Sequence, residues 1–133
     1  MINFNVPPFI GKEFDYMKQA VEAQKICGDG QFTKKCNEWI EKKTGTGKAL
    51  LTTSCTHGLE MAALLCDIKP GDEVILPSYT FVSTALAFLR EGARVVFADS
   101  SDVNPNITTE SIEPLINERT KVIAVVHYAG VAC

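Results

Sequence analysis

The stretch Thr52-Thr53-Ser54-Cys55-Thr56-His57-Gly58-Leu59-Glu60-Met61, followed by Pro70-Gly71-Asp72-Glu73-Val74-Ile75-Leu76-Pro77-Ser78-Tyr79-Thr80-Phe81, decides the fold. It reads as strand, polar turn, helix, tight turn, buried strand, polar turn, helix. Two successive strands each end in a loop dense in hydroxyls, the place where an open α/β sheet receives its ligands.

Outward from that stretch the alternation continues: strand Ala49–Thr53, helix Thr56–Cys66, strand Glu73–Leu76, helix Thr80–Glu91, strand Arg94–Ala98, helix Thr109–Glu118 and strand Lys121–His127. In helix Thr80–Glu91 the spacing turns Val82, Ala85, Leu86 and Leu89 inward, with Gly92 as the stop. The strands are continuous β-branched runs rather than alternating ones, as in a sheet covered on both faces. Short links in strand–helix–strand order predict right-handed crossovers and a parallel sheet.

The chain before Lys48 is less regular. Residues 1–11 are Pro-rich and expected to be extended. Lys12 to Cys27 carries Phe14, Met17, Ala20, Val21 and Gln24 at helical spacing and ends in Gly28-Asp29-Gly30, a helix stop. Thr33 is the expected cap of a second helix through Lys43, with Cys36, Trp39 and Ile40 on one face. Gly45-Thr46-Gly47 makes a turn, so an N-terminal helical segment is expected over 1–47 and an α/β region over 48–133.

Composition narrows the function. A chain of 133 residues holds one domain with a worthwhile core, and 46% hydrophobic with 22% charged residues is ordinary for a globular protein. The net charge of −3 offers no basic stripe for nucleic acid or an acidic membrane. Cys27, Cys36, Cys55, Cys66 and Cys133 are an odd set without metal-type spacing. Three of them fall inside helix or strand patterns, which predicts reduced, buried thiols and a cytoplasmic setting. Met1 to Pro8 lacks the basic-then-apolar pattern of a signal peptide. The longest apolar run, Val122–Val126, is far too short to span a membrane.

Several motifs fail on their context. Gly45-Thr46-Gly47-Lys48 lacks the upstream glycine, has Ala49 where a phosphate loop needs Ser or Thr, and precedes a strand instead of following one. No Gly-x-Gly-x-x-Gly joins a strand to a helix. His57 and His127 have no third metal ligand at a usable spacing, so no metal site is expected. Ser54 lacks the glycines of a nucleophile elbow.

The constellation at the strand ends survives. Thr53, Ser54 and Thr56 put hydroxyls at a helix start, where the free amides of Thr56, His57 and Gly58 and the helix dipole form an anion site. Gly58 would let the backbone approach a phosphate closely. Simple N-capping by Ser54 or Thr56 accounts for the same hydroxyls equally well. Phe81, after the next strand, could cover one face of a flat heterocycle or simply join the core. Asp99 and His127-Tyr128 follow the later strands. Four adjacent polar strand ends favour a ligand crevice over four separate accidents.

With those residues the chain resembles the DegT/DnrJ sugar aminotransferases, pyridoxal-phosphate enzymes of fold type I. The resemblance is carried by Ser54 to Leu64, Pro70 to Val82, Gly92-Ala93, Val96 to Asp99, Arg119 to Ile123 and Val126 to Gly130. Ser54-Cys55-Thr56, Pro77-Ser78-Tyr79-Thr80-Phe81 and His127-Tyr128-Ala129-Gly130-Val131-Ala132-Cys133 are nearest in wording to the family's dTDP-4-amino-4,6-dideoxygalactose transaminases. Asn5 to Phe9 and Gly28 to Thr33 fit as well.

The resemblance implies a three-layer αβα large domain with a mostly parallel sheet, of which residues 48–133 form the first, incomplete part. It implies pyridoxal 5'-phosphate as cofactor, its phosphate cradled by Thr56 and the amide of His57 and its ring stacked on Phe81. His57 and Gly58 stand where alanine is common in the family, and the phosphate site should tolerate both changes. The implied reaction moves an amino group, from glutamate, onto C4 of dTDP-4-keto-6-deoxyglucose in bacterial surface-polysaccharide biosynthesis, in a homodimer. Another keto-sugar nucleotide, a dehydration, a non-catalytic partner-binding fragment, or a plain small-molecule-binding α/β module are the alternatives.

The Schiff-base lysine and the carboxylate that pairs with the ring nitrogen are expected beyond Cys133, because Lys48, Lys69 and Lys121 lie in the wrong contexts. No catalytic residue is therefore expected within these 133 residues, which alone should be inactive. Strand Ala49–Thr53 should lack a sheet partner and Val122–Val126 should lie uncovered, so the isolated chain is expected to be poorly soluble or only partly folded.

Overall fold

The computed structural model describes residues 2–3 and 5–133; the extended reading of Met1 and Phe4 lies outside them. The chain packs as two units, Met1–Leu51 and Thr52–Cys133, dividing four residues beyond the expected point.

The first unit holds helix α1 (Glu13–Glu22) and helix α2 (Gln31–Thr44). The Glu13 carboxylate accepts the amides of Ile10 and Gly11, each at 2.8 Å, and these bonds hold its pKa below the usual carboxylate range. α1 ends well before Cys27, the chain turning at Gln24 with φ 54°. α2 starts earlier than expected: Gly30, extended and without a side chain to cap, takes the place assigned to Thr33. It closes on Gly45 at φ 73°, whose amide donates to the Glu41 carbonyl at 2.9 Å. Neither helix contains a buried residue.

The expected strand Ala49–Thr53 does not form. Its backbone donors go to α2 instead, Ala49 N–H to Glu41 Oε1 at 2.9 Å and Leu51 N–H to Asn37 Oδ1 at 2.9 Å. Those bonds tie residues 49–51 to the first unit and spend the amides that a sheet would use.

The second unit is the α/β part. Helix α3 (Cys55–Leu65), strand β1 (Glu73–Pro77), helix α4 (Ser83–Leu89), strand β2 (Arg94–Ala98), helix α5 (Thr109–Ile112) and strand β3 (Thr120–Ile123) follow in order. The strands form a parallel sheet in the order β2-β1-β3. Ile75 faces Val96 and Ile123, and the register slips between Glu73 and Val74 so that Lys121 is passed over.

Every residue of β1 is buried, as its continuous apolar run requires. On one face Val74 and Leu76 pack with Ala63 of α3 and Ala87 and Phe88 of α4. On the other, Ile75 and Ala98 pack with Ile107, with Ile112 of α5 and with Leu115. Helices thus cover both sides, the three-layer arrangement.

The buried face of α4 is Ser83, Thr84, Ala87 and Phe88. Ala85 is half-buried against the core, whereas Val82, Leu86 and Leu89 are about half exposed, which corrects those three positions of the expected inward stripe. The helix begins at Ser83 rather than Thr80 and packs Ala87 and Phe88 against Val74 and Leu76 of β1. Gly92 ends this region at φ 91°, where an added Cβ would sit 3.0 Å from the Pro70 ring.

α5 is shorter than expected and passes into a 3-10 turn at Glu113–Leu115, since Pro114 has no N–H to continue the helix. Thr108 and Ser111 close its start as a capping box. β3 stops at Ile123 rather than His127; after Ala124 N–H bonds Ile75 O at 2.8 Å, the chain leaves the sheet for a 3-10 turn at Tyr128–Gly130.

At the other end of the sheet, the Glu73 side chain is 3% exposed. It accepts from Asn117 Nδ2 at 2.7 Å and Arg119 Nε at 2.9 Å, with Arg94 at 3.4 Å. Asn117 and Arg119 hold this carboxyl below its usual range against the opposing effect of burial.

The five cysteines are free thiols, but only Cys66 is even half-buried; Cys27, Cys36, Cys55 and Cys133 are exposed, which corrects the expectation of buried thiols. No helix of the described residues is long and apolar enough to cross a membrane.

Candidate functional site

The C-terminal ends of β1 and β3 open beside the start of α3. A cavity of about 580 Å³ lies there, walled by Cys55, Thr56 and Leu59 of α3, by Thr80, Phe81, Ser83 and Thr84 around the start of α4, and by Ala124–Val126 and Tyr128 after β3. Of the expected cofactor residues, Thr56 and Phe81 line this cavity and His57 does not.

Ser54 explains the start of α3. Its backbone is extended and its Oγ accepts the His57 amide at 3.1 Å, while the Gly58 amide donates to the Ser54 carbonyl at 3.1 Å. Two of the three amides expected to be free are therefore engaged. The amides of Cys55 and Thr56 have no hydrogen-bond partner among the described residues, and both residues face the cavity. The His57 ring is turned aside, its Nδ1 sharing a 2.6 Å hydrogen bond with Thr53 Oγ1.

A Cβ on Gly58 would meet Thr52 Oγ1 at 3.5 Å, an ordinary contact. An alanine would therefore fit here without displacing a neighbour.

Phe81 precedes α4 by two residues and is 74% exposed, so its ring is free to meet a flat ligand. Behind it, Thr80 Oγ1 and Thr84 Oγ1 share a 2.9 Å bond. Asp99, after β2, accepts a long 3.5 Å bond from the Ser78 hydroxyl and does not line the cavity. His127 Nδ1 accepts the Cys133 amide at 3.1 Å and is likewise outside it. Of the four polar segments named from sequence, the start of α3, the turn after β1 and the chain after β3 converge, and the end of β2 stays apart.

Tyr128 closes one side. Its ring meets that of Tyr79 edge-on at 5.0 Å, and its hydroxyl donates to the Tyr79 hydroxyl at 3.4 Å. The neighbouring Tyr79 phenol pushes the Tyr128 phenol up, and burial adds to the shift. Sequence reasoning gave Tyr79 no site role, although its place in a polar turn two residues before Phe81 was a visible signal.

No lysine lines the cavity. Lys69 is paired with Asp67 at 2.8 Å in the turn before β1, and Lys121 sits at the start of β3. In a parallel sheet both lie at the end opposite the cavity. No group of His, Cys, Asp and Glu suited to a metal ion occurs among the described residues.

The model of the DegT/DnrJ/EryC1/StrS aminotransferase family matches residues 9–133. The UDP-4-amino-4-deoxy-L-arabinose–oxoglutarate aminotransferase of Shewanella sediminis is 46% identical over 93 residues, 70% of this chain and 24% of that protein. The GDP-perosamine synthase of Caulobacter vibrioides is 31% identical over 132 residues, 99% of this chain and 36% of that protein. Among solved structures, Spr1654 of Streptococcus pneumoniae, described as a sugar aminotransferase and solved in a PLP form, superposes with a TM-score of 0.87 at 28% identity. That match covers 99% of this chain and 33% of the other. The chain thus spans between 24% and 36% of the length of these relatives.

Proposed function

This chain belongs to the DegT/DnrJ/EryC1/StrS aminotransferase family, and from that premise we propose that it builds the phosphate and ring contacts of a pyridoxal-phosphate site in a sugar-nucleotide aminotransferase. The observation that carries the reading is the meeting of Thr56, Phe81 and Tyr128 on one cavity at the strand ends.

The residues present suit that cofactor. The unpartnered amides of Cys55 and Thr56 at a helix start favour a phosphate, with the Thr56 side chain beside them. The exposed Phe81 ring offers a face to the pyridine. His57 is a proposed contact through its amide, which would have to leave Ser54 to reach a phosphate. Bound here, pyridoxal phosphate supplies a ring that accepts the electron pair released from the amino donor. The amine that fixes the cofactor is proposed to come from chain outside these residues, so that residues 1–133 alone do not transaminate.

The finer reading is amino transfer from glutamate to C4 of dTDP-4-keto-6-deoxyglucose, for surface polysaccharide, by a cytoplasmic homodimer. The relatives' names support a nucleotide sugar, and one supports C4 with oxoglutarate as co-product. They carry UDP and GDP, so the thymidine base rests on the wording of residues 54–81 and 127–133.

The test is titration of the full-length gene product with pyridoxal phosphate by visible absorbance, followed by glutamate and each keto-sugar nucleotide. Saturable binding, weakened roughly threefold to tenfold in Phe81→Ala from the loss of one aromatic stack, and turnover preferring the dTDP sugar are expected. Preference for a UDP or GDP sugar would move the substrate, and no binding at all would remove the aminotransferase reading.

A further inference from the structure

Asn106 lies far from the cavity in sequence and none of the chemistry above uses it, yet it is 4% exposed and polar. Such a group stays buried only when its donors and acceptors are met. Its side-chain Oδ1 accepts the Tyr128 amide at 3.1 Å, and its Nδ2 donates to the Val131 carbonyl at 2.9 Å. One planar amide therefore spans the turn Tyr128–Gly130 and grips both of its flanks.

That turn needs a brace. Ala129 sits at φ 54° and Gly130 at φ 80°, and the left-handed region is unfavourable for a residue with a side chain. Asn106 is itself fixed by its own loop. Its amide donates to Asn104 Oδ1 at 2.9 Å, its carbonyl accepts the Ser101 amide at 2.9 Å, and Ser100 bridges to Ile107 in antiparallel fashion. A primary amide is the side chain that presents an acceptor and a donor side by side, as a peptide group does. A carboxylate would face the Val131 carbonyl with another oxygen, and leucine would leave that carbonyl without its donor and the Tyr128 amide with only its 2.9 Å bond to the Val126 carbonyl.

We propose that Asn106 is a positioning residue, which sets the place of Tyr128 on the wall of the ligand cavity by holding both ends of the Tyr128–Gly130 turn. Tyr79 fixes the ring of Tyr128 and Asn106 fixes its backbone. The functional weight of this arrangement rests on the cavity being the cofactor and substrate site.

The test places 3-fluorotyrosine at position 128 of the full-length gene product and compares wild type, Asn106→Asp and Asn106→Ala by fluorine NMR, each well below its melting temperature. The fluorine resonance should move toward that of free fluorotyrosine in both variants. Pyridoxal phosphate or sugar-nucleotide binding, read on the same samples, should weaken about tenfold. A resonance unmoved in the folded Asn106→Asp protein overturns the proposal, even if its melting temperature falls, because a merely structural role predicts that pattern. A moved resonance with unchanged binding of both ligands overturns the link to the site. Wild type that binds neither ligand rejects the aminotransferase reading instead, and the fluorine shift still judges Asn106.

Discussion

The two units of this chain were built by the same sequence rule with opposite results. In the first, α1 and α2 carry Phe14, Met17 and Trp39 at helical spacing, and these stay 68%, 62% and 62% exposed. In the second, Val74, Ile75 and Leu76 are fully buried between two helical layers. Apolar periodicity makes a helix or strand in both units. Burial comes only where a second element meets the apolar face, and the sheet supplies two such faces.

The largest effect that would break or sustain this contrast lies in the core. Leu76→Ala should cost about 2–5 kcal/mol, since it removes a fully buried side chain and leaves a cavity. Trp39→Ala should stay within about 0.5 kcal/mol despite removing a larger group, because its ring is mostly in water. Urea unfolding of the full-length product reads both. Equal losses would mean that the Trp39 face is covered in solution.

Acid should come next: Glu13 of the first unit and Glu73 of the second are both held low, but only Glu73 is buried. The folded Glu73 carboxyl titrates below its ordinary value, so its contribution is present above roughly pH 4.3 and is lost as pH falls through the folded value. Melting temperatures of wild type and Glu73→Gln should differ at pH 7, and the difference should shrink as pH falls below about 4.3. A constant difference would mean that the charge of Glu73 contributes nothing.

Helix caps sharpen the comparison further. Ser54→Ala should destabilise α3 by about 1 kcal/mol, since Ser54 Oγ accepts the His57 amide. Gly30→Ser should stabilise α2 by only about 0.3 kcal/mol, because a hydroxyl there adds a cap to a helix that has no side-chain cap. Thermal melts followed by circular dichroism separate the two. A silent Ser54→Ala would show the capping bond to be dispensable.

Much of the second unit was legible because its strands are unbroken β-branched runs: Arg94–Ala98 has the same bounds in sequence and structure. The face of α4 was misread because the apolar stripe looked like the core, whereas the buried face is Ser83, Thr84, Ala87 and Phe88, two of them polar. Thr56 was visible at a helix start and Phe81 in the polar turn after β1, positions fixed by local order. Asn106 was not, since its partners lie 22 and 25 residues along the chain and nothing local distinguishes it from another turn asparagine. Residues 49–51 illustrate the same gap: their strand-like composition yielded to side chains of α2 reaching their amides.

The strand order β2-β1-β3 also has a history in time. The most buried strand leaves the ribosome first, and its two neighbours come later, β2 from Arg94 and β3 only from Thr120. At synthesis rates of about 5–20 residues per second, one edge of Glu73–Pro77 waits roughly 2–10 seconds for its partner. During that wait a nascent chain presents an apolar, unpaired strand edge to whatever is nearby. Slowing translation between residues 98 and 120 should therefore lower the soluble yield of the gene product, whereas slowing it before residue 52 should not.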